Sequence, residues 1–407
     1  MVSKMKSRVG VWIIGIYGSI SSVVVGSTEL IAKGISSPAG LITELPDFRE
    51  LDLLQFDQMV FGGHDIHKGS ISESFVNMRY AANVGRYLVN GTTNNLIYGL
   101  DSIENNIQIG TAIGSSKVIS EIAGKSGVND SLPLLDITNK LIDDINNFKK
   151  NYGLNSVIVV NLSSTEPPPM IGTHTETIEG FESAIQNNRK DLINASMLYA
   201  YAAFKSSSPY INFTPSASTS IPALIDLAQE QHVPYAGRDG KTGETLIKSL
   251  LALLFKYRMM KVLSWQSYNI LGNMDGKVLN EPETKKSKKS TKDAVLPQIL
   301  GYHPHTYIGI DHVPSLNDWK IAWDYIHFEG FLGTKMNMQF TWQGCDSMLA
   351  APLVLDLIRL VELSYRKGET GALAHLALFF KQPHGTEIAD LPGQWDIFWK
   401  HINKLKE

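Results

Sequence analysis

Cysteine is almost absent from this sequence, which has Cys345 alone among 407 residues. One cysteine cannot form an internal disulfide, so small folds held by disulfides are excluded and a reducing cytoplasm is favoured. The chain also lacks a large excess of charge of one sign, because 37 basic and 40 acidic residues leave a formal net charge of −3. A chain so balanced has no overall attraction to nucleic acid or to an anionic membrane, and we expect neither partner.

Long apolar runs are missing as well. The stretch 9–26 follows three basic residues, as the apolar part of a signal peptide does, but Gly15, Gly18 and several serines interrupt it. No other window approaches the roughly 18 unbroken apolar residues of a membrane-spanning helix. We therefore expect no signal peptide and no membrane span.

Short apolar runs, by contrast, are clear. Runs typical of buried parallel strands occupy residues 9–14, 39–43 and 156–161, the second ending at Glu44. Stretches with helical character lie at residues 23–33, 134–149 and 193–204. Strands that alternate with helices in this way predict a doubly wound α/β sheet.

The pattern changes from about residue 245. A long apolar helix through residue 259 is followed by strand-like stretches at 261–267, 302–310 and 328–342, and helical spacing returns at 350–365. This predicts an α+β unit, more antiparallel than the first, inserted into the doubly wound domain. The expected domains are residues 1–245 plus 345–407, and residues 246–344.

The first strand leads into a turn that resembles a dinucleotide-binding fingerprint. Gly15-Ile-Tyr-Gly18-Ser-Ile-Ser21 lies between a strand and a helix, but the second and third glycines of Gly-x-Gly-x-x-Gly are displaced or replaced. The turn therefore indicates either NAD binding or an ordinary tight turn. Under the first interpretation, the contacts to the cofactor are Gly15, Tyr17, Gly18, Ser19 and Ile20. Glu44 would accept the ribose hydroxyls, unless it is a capping or exposed carboxylate.

Lysines cluster between residues 285 and 292, alternating with serine and threonine. Such a run is either a solvated or nucleic-acid-binding loop, or a set of ammonium and hydroxyl donors around a phosphate. The preceding segment, 269–276, is rich in amide and carboxylate groups, which favours the second interpretation. Residues 237–243 superficially resemble a phosphate loop, but their spacing excludes the Walker pattern and hence an ATPase of that type.

Six segments, taken in order, resemble myo-inositol-1-phosphate synthases, in the shorter archaeal and bacterial form. They are Asn212-Phe-Thr-Pro-Ser216, Gly237-Arg-Asp-Gly-Lys-Thr-Gly243, Tyr268-Asn-Ile-Leu-Gly-Asn-Met-Asp-Gly276, Ser287-Lys-Lys-Ser-Thr-Lys292, Val313-Pro-Ser-Leu-Asn-Asp-Trp-Lys320 and Leu349-Ala-Ala-Pro-Leu353. The resemblance covers essentially the whole chain. Six ordered motifs are far more specific than any one of them.

The resemblance implies a Rossmann-like NAD domain interrupted by a catalytic and tetramerisation domain, assembled as a homotetramer. It also implies conversion of D-glucose 6-phosphate to 1D-myo-inositol 3-phosphate, in which NAD takes a hydride from C5 and later returns it. Between these steps the C6 enolate attacks the C1 aldehyde. Negative charge therefore develops on successive substrate oxygens, and fixed cations are needed to stabilise it.

The same resemblance assigns residues to the site. Its catalytic residues are Lys288, Lys292, Lys320, Lys381 and Asn269. Around the cofactor it places Ser164, Thr165, Asp239, Asn273 and Asp275, and Glu166 beside them. Asp346 is the expected ligand of a divalent metal or a monovalent cation. Asn273 replaces an aspartate that archaeal relatives can carry, which weakens the case for a metal there.

Two other functions remain open from the sequence. An NAD-dependent sugar-phosphate dehydrogenase could use the same fold, since a fold does not determine a function. A non-catalytic NAD-binding paralogue could also retain the cofactor turn, although the set of lysines argues against it.

Overall fold

The computed structural model describes residues 7–82, 99–125, 129–279 and 295–406, with only the backbone at positions 79–82, 129, 274 and 275. Its strands are β1 (Val9–Ile14), β2 (Met59–Asp65), β3 (Ile107–Ile109), β4 (Ser156–Asn161), β5 (Tyr210–Asn212), β6 (Pro234–Gly237), β7 (Lys261–Leu271), β8 (His305–His312), β9 (Trp319–Glu329), β10 (Lys335–Cys345) and β11 (Gly371–Ala372). Its helices are α1 (Ser19–Ala32), α2 (Ile71–Ala82), α3 (Lys117–Lys125), α4 (Leu134–Tyr152), α5 (Thr173–Glu176), α6 (Ile178–Gln186), α7 (Ala195–Lys205), α8 (Pro222–Glu230), α9 (Gly243–Tyr257), α10 (Met274–Val278), α11 (Val295–Leu300), α12 (Asp346–Arg366) and α13 (Leu391–Lys406).

Seven of these strands form one parallel sheet in the order β11-β6-β5-β4-β1-β2-β3. The order reverses between β1 and β4, the central neighbours, as in doubly wound dinucleotide-binding folds. The predicted fold class is therefore confirmed.

The central strand β1 shows how the sheet is covered on both faces. Val11 and Ile13 belong to one hydrophobic cluster, which α1 and α12 complete. Trp12 and Ile14 point the other way, into a second cluster with α4, α7 and α8. Because side chains alternate along a strand, an uninterrupted apolar run is what a strand buried on both faces requires.

The other four strands form a second sheet in the order β10-β9-β7-β8. Its pairs are antiparallel except β7 with β8, as the sequence predicted for this part of the chain. One face packs Trp265 and Phe328 against Phe255 of α9 and against α11. The opposite face carries exposed aromatic side chains, among them Tyr268 and Trp323, which are paired in register.

The predicted helices at 134–149, 193–204 and 350–365 are confirmed as α4, α7 and α12. The predicted strand 328–342 is wrong in its bounds, because it joins the end of β9, a turn at Phe331–Gly333 and most of β10. Within the described ranges, no helix is both long and apolar enough to cross a membrane.

The predicted second strand at 39–43 is also wrong. Ile42–Glu44 is a turn of 3₁₀ helix, and its amides bond to a helix rather than to a sheet. The Asp356 carboxylate of α12 accepts hydrogen bonds from the backbone nitrogens of Ile42 and Thr43 at 2.8 and 3.0 Å. It also accepts one from the Thr43 hydroxyl at 2.6 Å. A contact with a residue more than 300 positions away overrides the local apolar pattern.

The strand that pairs with β1 on this side is instead β2, whose sequence Met-Val-Phe-Gly-Gly-His-Asp joins two strand formers to glycines and an aspartate that are depleted in strands. Its glycines are required by close packing. A Cβ at Gly63 would lie 2.1 Å from the carbonyl oxygen of Ile13, and one at Gly62 would lie 3.0 Å from the Trp12 ring. Gly62 and Gly63 make this strand hard to predict from the sequence, and the same two glycines allow its backbone to approach β1 closely.

Arg359 joins the 3₁₀ segment to α12, and its loss should unfold the protein more easily. The buried guanidinium donates to the Leu54 carbonyl at 3.0 Å and to Thr43 and Glu44 at 2.6 Å. Arg359→Met leaves these acceptors and the buried Asp356 without their cation. We expect the free energy of unfolding to fall by about 3 kcal/mol in urea titrations.

Arg189→Met is the matched control, since the side chains of Arg189 and its ion-pair partner Asp191 are both exposed. Its cost should be far smaller, because exposed ion pairs contribute little to stability. Equal losses in the two variants would contradict the anchoring role of Arg359.

Candidate functional site

A cavity of about 1120 Å³, part of it open to solvent, lies where the loops after β1 and β4 diverge. In open α/β sheets this position, outside the carboxyl ends of the strands, is where ligands bind. The cavity brings together most of the residues predicted from the sequence. Those that line it are Gly18, Ser19, Ile20, Ser164, Thr165, Asp239, Asn269, Asn273, Lys320, Asp346 and Lys381.

The turn from β1 into α1 approaches the neighbouring loop closely. Gly15 has φ +81°, and a Cβ there would lie 3.1 Å from the Cα of Ser163. Gly18 precedes the first residue of α1, and a Cβ on it would lie 3.1 Å from the Gly15 carbonyl oxygen. Ser21 stands where a third glycine would be, and its hydroxyl donates to that same carbonyl at 2.7 Å. The serine thus replaces the missing glycine with a hydrogen bond that tightens the turn.

This turn fits the pyrophosphate of NAD. Gly18, Ser19 and Ile20 present the first turn of α1 to the cavity, and the N-terminus of a helix favours an anion through its amide groups and dipole. The bare glycine backbone leaves space for that approach. The displaced fingerprint therefore retains both features that dinucleotide binding needs.

Two asparagines at strand ends fold the loops that form the cavity wall. Asn161, the last residue of β4, accepts hydrogen bonds from the Ser163 amide at 3.1 Å and hydroxyl at 2.7 Å. Asn212, the last residue of β5, accepts from the hydroxyl of Thr214 at 2.8 Å and donates to the Ser216 carbonyl at 2.8 Å. Irregular backbone at a buried edge needs such partners, because no neighbouring strand satisfies it.

Glu166 fixes the loop that contains Thr165. Its carboxylate accepts from the amide of Ser196 at 2.8 Å and from the Ser196 hydroxyl at 2.5 Å, in the first turn of α7. Burial raises the pKa of Glu166 to about 7, although the bonds from Ser196 favour the charged form. Within the described residues, Glu166 is not among those that line the cavity, so the contacts it makes support the wall.

A short antiparallel ladder places Asp239 beside Lys381. Gly240 is bridged to Phe380, and the Lys381 amide donates to the Asp239 carbonyl at 2.8 Å. The Lys381 ammonium then lies 2.7 Å from the carboxylate of Asp239, with both side chains buried. The ladder thus fixes an ion pair in the cavity wall between residues 142 positions apart in the chain.

A second ammonium and carboxylate face the cavity from the other sheet. Lys320 is the second residue of β9 and Asp346 the first of α12, and their charged atoms are 3.7 Å apart. Asp318 directly precedes β9 and ties this strand to α12. Its carboxylate accepts hydrogen bonds from the Ser347 amide at 2.9 Å and from the Ser347 hydroxyl at 2.8 Å. Two cations with adjacent carboxylates therefore line one crevice.

The amides of Asn269 and Asn273 come from β7 and the loop that follows it. Asn269 is fully buried on the face of β7 that also carries Leu271, another residue of the cavity wall. The Asn273 side chain accepts from the Gly276 amide at 3.1 Å at the start of α10. The two amides place hydrogen-bonding groups at the side of the cavity formed by the second sheet.

Some predicted residues lie elsewhere. Glu44 neither ends a strand nor lines the cavity, because its carboxylate pairs with Arg359 at 2.6 Å. The expected position of Glu44, at the end of a second buried strand over 39–43, is therefore wrong, and its contact with the ribose stays a prediction. Tyr17 belongs to the turn, but its side chain is outside the cavity wall. Lys288, Lys292 and the side chain of Asp275 lie outside the described residues.

Asp65 takes the position that Glu44 was expected to have. It is the last residue of β2, and its carboxylate accepts from the Tyr17 amide at 2.9 Å and from the Ile66 amide at 2.7 Å. In dinucleotide-binding sheets an acid at this point meets the adenosine ribose, although Asp65 is not among the residues that line the cavity and also pairs with His67 at 2.7 Å. Sequence reasoning missed Asp65 because it missed β2; the dipeptide His64-Asp65 before a polar stretch was the available signal.

Asp346 stays a prediction as a metal ligand. Among the described residues, the one group of three clustered metal-binding side chains is Glu369, His375 and His401. It lies at the far end of α12, about 30 Å from Asp346 along a helix of 21 residues. The two imidazole rings stack at 3.6 Å with only 9° between their planes. An ion lies near the plane of each imidazole that binds it, so rings stacked in this way do not aim at one metal.

The fold and the cavity define an NAD-binding α/β protein in which a second sheet adds lysines and amides to the cofactor crevice. The family model of myo-inositol-1-phosphate synthase, which describes a family of NAD-binding proteins, matches residues 9–394 of this chain. Inositol-3-phosphate synthase 1 of Bacteroides thetaiotaomicron is 30% identical over 423 residues, covering 98% of this chain and 95% of that protein. The chain belongs to the myo-inositol-1-phosphate synthase family.

Solved structures are similar to this chain over almost its whole length. The crystal structure of inositol-3-phosphate synthase from Caenorhabditis elegans superposes with a TM-score of 0.85 at 25% identity, covering 98% of this chain and 86% of that one. A myo-inositol-1-phosphate synthase-related protein from Thermotoga maritima gives a TM-score of 0.80 at 24% identity, covering 97% and 98%. The second likeness shows the fold alone.

Glu166 should make stability depend on pH. Its folded pKa of about 7 lies above the ordinary value of 4.5, so the folded state binds more protons between these values. Stability from this group is therefore lost as pH rises from about 4.5 to about 7, by up to about 3 kcal/mol. Glu166→Gln mimics the protonated form, and its advantage over wild type in urea unfolding should grow across that range.

Glu179→Gln, at an exposed position of α6, serves as the control and should follow the wild-type pH curve. Parallel curves for wild type and Glu166→Gln would show that the carboxyl group titrates normally.

Proposed function

We propose that this chain converts D-glucose 6-phosphate into 1D-myo-inositol 3-phosphate, with NAD as a cofactor that each turnover restores. Membership of the synthase family supports the reaction. The observation on which the proposal depends is the meeting of the cofactor turn with two lysine–carboxylate pairs, Lys381–Asp239 and Lys320–Asp346, in one cavity. A simple dehydrogenase needs one proton acceptor, whereas cyclisation also needs cations at a second developing oxyanion.

NAD, when bound, supplies the acceptor for a hydride from C5 and later its donor. The turn 15–21 would hold the pyrophosphate and Asp65 the adenosine ribose. Asn269 and Asn273 line the other side of the crevice and would meet the nicotinamide end. The chain's own side chains would then bind the sugar and move its protons.

The two lysine pairs suit different oxygens of the substrate. We propose that Lys320, with Lys288, manages the proton and negative charge at O5, and that Asp346 orients the Lys320 ammonium. Lys381, with Lys292, would serve the oxygen formed in the aldol step and the phosphate. The roles of Lys288 and Lys292 rest on the family resemblance, since both lie outside the described residues.

A metal enters no step of this proposal. The described carboxylates of the cavity wall, Asp239 and Asp346, each lie beside a lysine ammonium at 2.7 and 3.7 Å. A monovalent or divalent cation at Asp346 remains a separate proposal, which assays with and without added cations would test.

We further propose that the chain forms a homotetramer through the open face of its second sheet, within a domain of residues 246–344. Tyr268, Tyr307 and Trp323 are 45%, 47% and 41% exposed on β7, β8 and β9. Aromatic side chains so exposed are enriched at protein interfaces. Residues 1–245 plus 345–407 would form the NAD domain.

A cytoplasmic location is proposed as well. The single thiol is buried beside Asp318, and burial first, then this carboxylate, raises the pKa of Cys345 to about 12. A single buried thiol forms no internal disulfide, and this supports a reducing compartment.

Purified protein incubated with glucose 6-phosphate and NAD should yield inositol phosphate in NMR spectra, with no accumulation of NADH. The reason is that the hydride removed from C5 returns to the same molecule. NADH accumulating in step with sugar oxidation would instead identify a dehydrogenase. Cofactor binding without any turnover would identify a non-catalytic paralogue.

Lys320→Ala should lower kcat by roughly 10²–10⁴, the range of a lost acid–base group. Lys335→Ala, an exposed lysine on the neighbouring strand β10, is the control and should keep wild-type turnover. Product formation by NMR measures both. A fully active Lys320→Ala protein would remove Lys320 from the proposed mechanism.

A further inference from the structure

A buried polar cluster lies between α9 and the second sheet, apart from the residues proposed to act on the substrate. We define the Lys248 cluster as Lys248 and Glu244 of α9, Ser267 of β7 and Asp324 of β9. All four residues are buried, with at most 2% of the surface of any of them exposed. Charged groups buried to this degree are costly unless their partners are well placed.

The Lys248 ammonium contacts the three other members of the cluster. It donates to the Ser267 hydroxyl at 2.7 Å and lies 3.0 Å from the Glu244 carboxylate, one helical turn earlier. The Ser267 hydroxyl donates in turn to the Asp324 carboxylate at 2.5 Å, and the Trp265 indole donates to the same oxygen at 2.6 Å. Lys248 also lies 3.7 Å from that oxygen. Because charge-assisted hydrogen bonds are short and directional, the cluster fixes the separation of α9 from both strands.

The Lys248 cluster lies one layer beneath the cavity wall. Ser267 shares a face of β7 with Asn269, which is two residues further along the strand. Ser267 pairs in register with Asp324 of β9, and Lys320 projects from the same face as Asp324, about 13 Å along that strand. Asn269 and Lys320 line the cavity, whereas the four members of the cluster do not. The cluster therefore supports the part of the wall that carries Lys320.

The other lysine pair is connected to α9 by the chain itself. Asp239 and Thr242 belong to the segment that leads into α9, and both line the cavity. The far end of α9 is held by apolar packing, in which Phe255 contacts Phe328 with ring centroids 4.9 Å apart. Apolar packing has no preferred direction, whereas hydrogen bonds do. The Lys248 cluster is thus a directional contact that fixes the cavity end of α9 against the second sheet.

We propose that Lys248 is a positioning residue that sets, through Ser267 and Asp324, the spacing between the two lysine–carboxylate pairs of the cavity. The inference rests on the proposed function. Oxidation at C5 sends a hydride to NAD and a proton from O5 toward Lys320, so it involves one pair. Ring closure involves both pairs. The electron pair of the C6 enolate forms the C6–C1 bond as the C5 ketone returns beside Lys320, while the C1 carbonyl oxygen gains its π electrons and a proton from the Nζ of Lys381.

A changed spacing should therefore slow ring closure more than it slows the first hydride transfer. Displacement of reacting groups by about 1 Å can lower a rate roughly 10²-fold. Protein that has oxidised its substrate but has not yet closed the ring holds NADH. A spacing defect should consequently be visible as bound NADH that persists during turnover.

Ser267→Ala removes the hydroxyl between Lys248 and Asp324 and leaves every charge of the cluster in place. We expect kcat to fall by up to roughly 10²-fold with the KM for glucose 6-phosphate unchanged. The absorbance of reduced nicotinamide during turnover should show more bound NADH than in wild type. Thr138→Ala is the matched control, because the buried Thr138 hydroxyl donates to the Leu134 carbonyl at 2.7 Å within α4. It should keep the wild-type kcat and level of bound NADH.

A second readout does not need turnover. Crystal structures of wild type and Ser267→Ala give the distance between the Nζ atoms of Lys320 and Lys381, which should change by on the order of 1 Å. Lys248→Met removes the ammonium, keeps the length of the side chain, and should produce the same changes more strongly. If the two carboxylates left without their cation prevent Lys248→Met from folding, Ser267→Ala still tests the inference.

Wild-type turnover and an unchanged distance between the two lysines in Ser267→Ala would overturn the inference. A lower kcat without bound NADH, or with an equal loss in Thr138→Ala, would contradict a role in spacing and indicate a general loss of stability. If wild type forms no inositol phosphate, the proposed function fails, and the crystal structures then decide separately whether the cluster sets the distance.

Discussion

The pairing of segments 238–241 and 379–382 is the contact on which the cavity depends. It brings two distant parts of the chain to the carboxyl edge of the sheet and seals one wall with a buried ion pair, Asp239 with Lys381. A buried charge left without its partner would be strongly destabilising. The positive φ of Asp239, +60°, is held by the same backbone bonds. Fold stability and cavity geometry are therefore set by one short ladder.

Around this contact, polar side chains hold the irregular backbone in place. Asn161 and Asn212 fold the loops after two strands, Glu166 ties one of these loops to α7, and Asp318 ties β9 to α12. Each accepts more than one hydrogen bond, mostly from backbone amides or hydroxyl groups. The cavity wall is consequently rigid without being part of a regular strand or helix, as placement of a cofactor and a sugar requires.

Local patterns in the sequence predicted what local interactions determine. The apolar run of β1, the turn after it and the helices α4, α7 and α12 could be read directly, because periodicity alone reflects their burial. The strand β2 could not, since its Gly62 and Gly63 suit a close approach that only the folded sheet reveals. The segment 39–43 has the apolar pattern of a strand, but its backbone amides at Ile42 and Thr43 donate to the Asp356 carboxylate and not to a neighbouring strand.

The same division holds for the site. Family motifs indicated Lys320, Lys381 and Asp239, but not that the last two lie on one short ladder. Asp65 was missed because its strand was missed. These relations depend on contacts between residues far apart in the chain, which periodicity and motif spacing do not encode.

The ladder also has a consequence for synthesis of the protein. Asp239 leaves the ribosome well before Lys381, 142 residues later, and the wall they share cannot close until almost the entire chain has emerged. Until then an unpaired carboxylate and the open crevice face the solvent or a chaperone. A ribosome that stops shortly before residue 381 would therefore release a chain with most of its sheet formed and its active site still open.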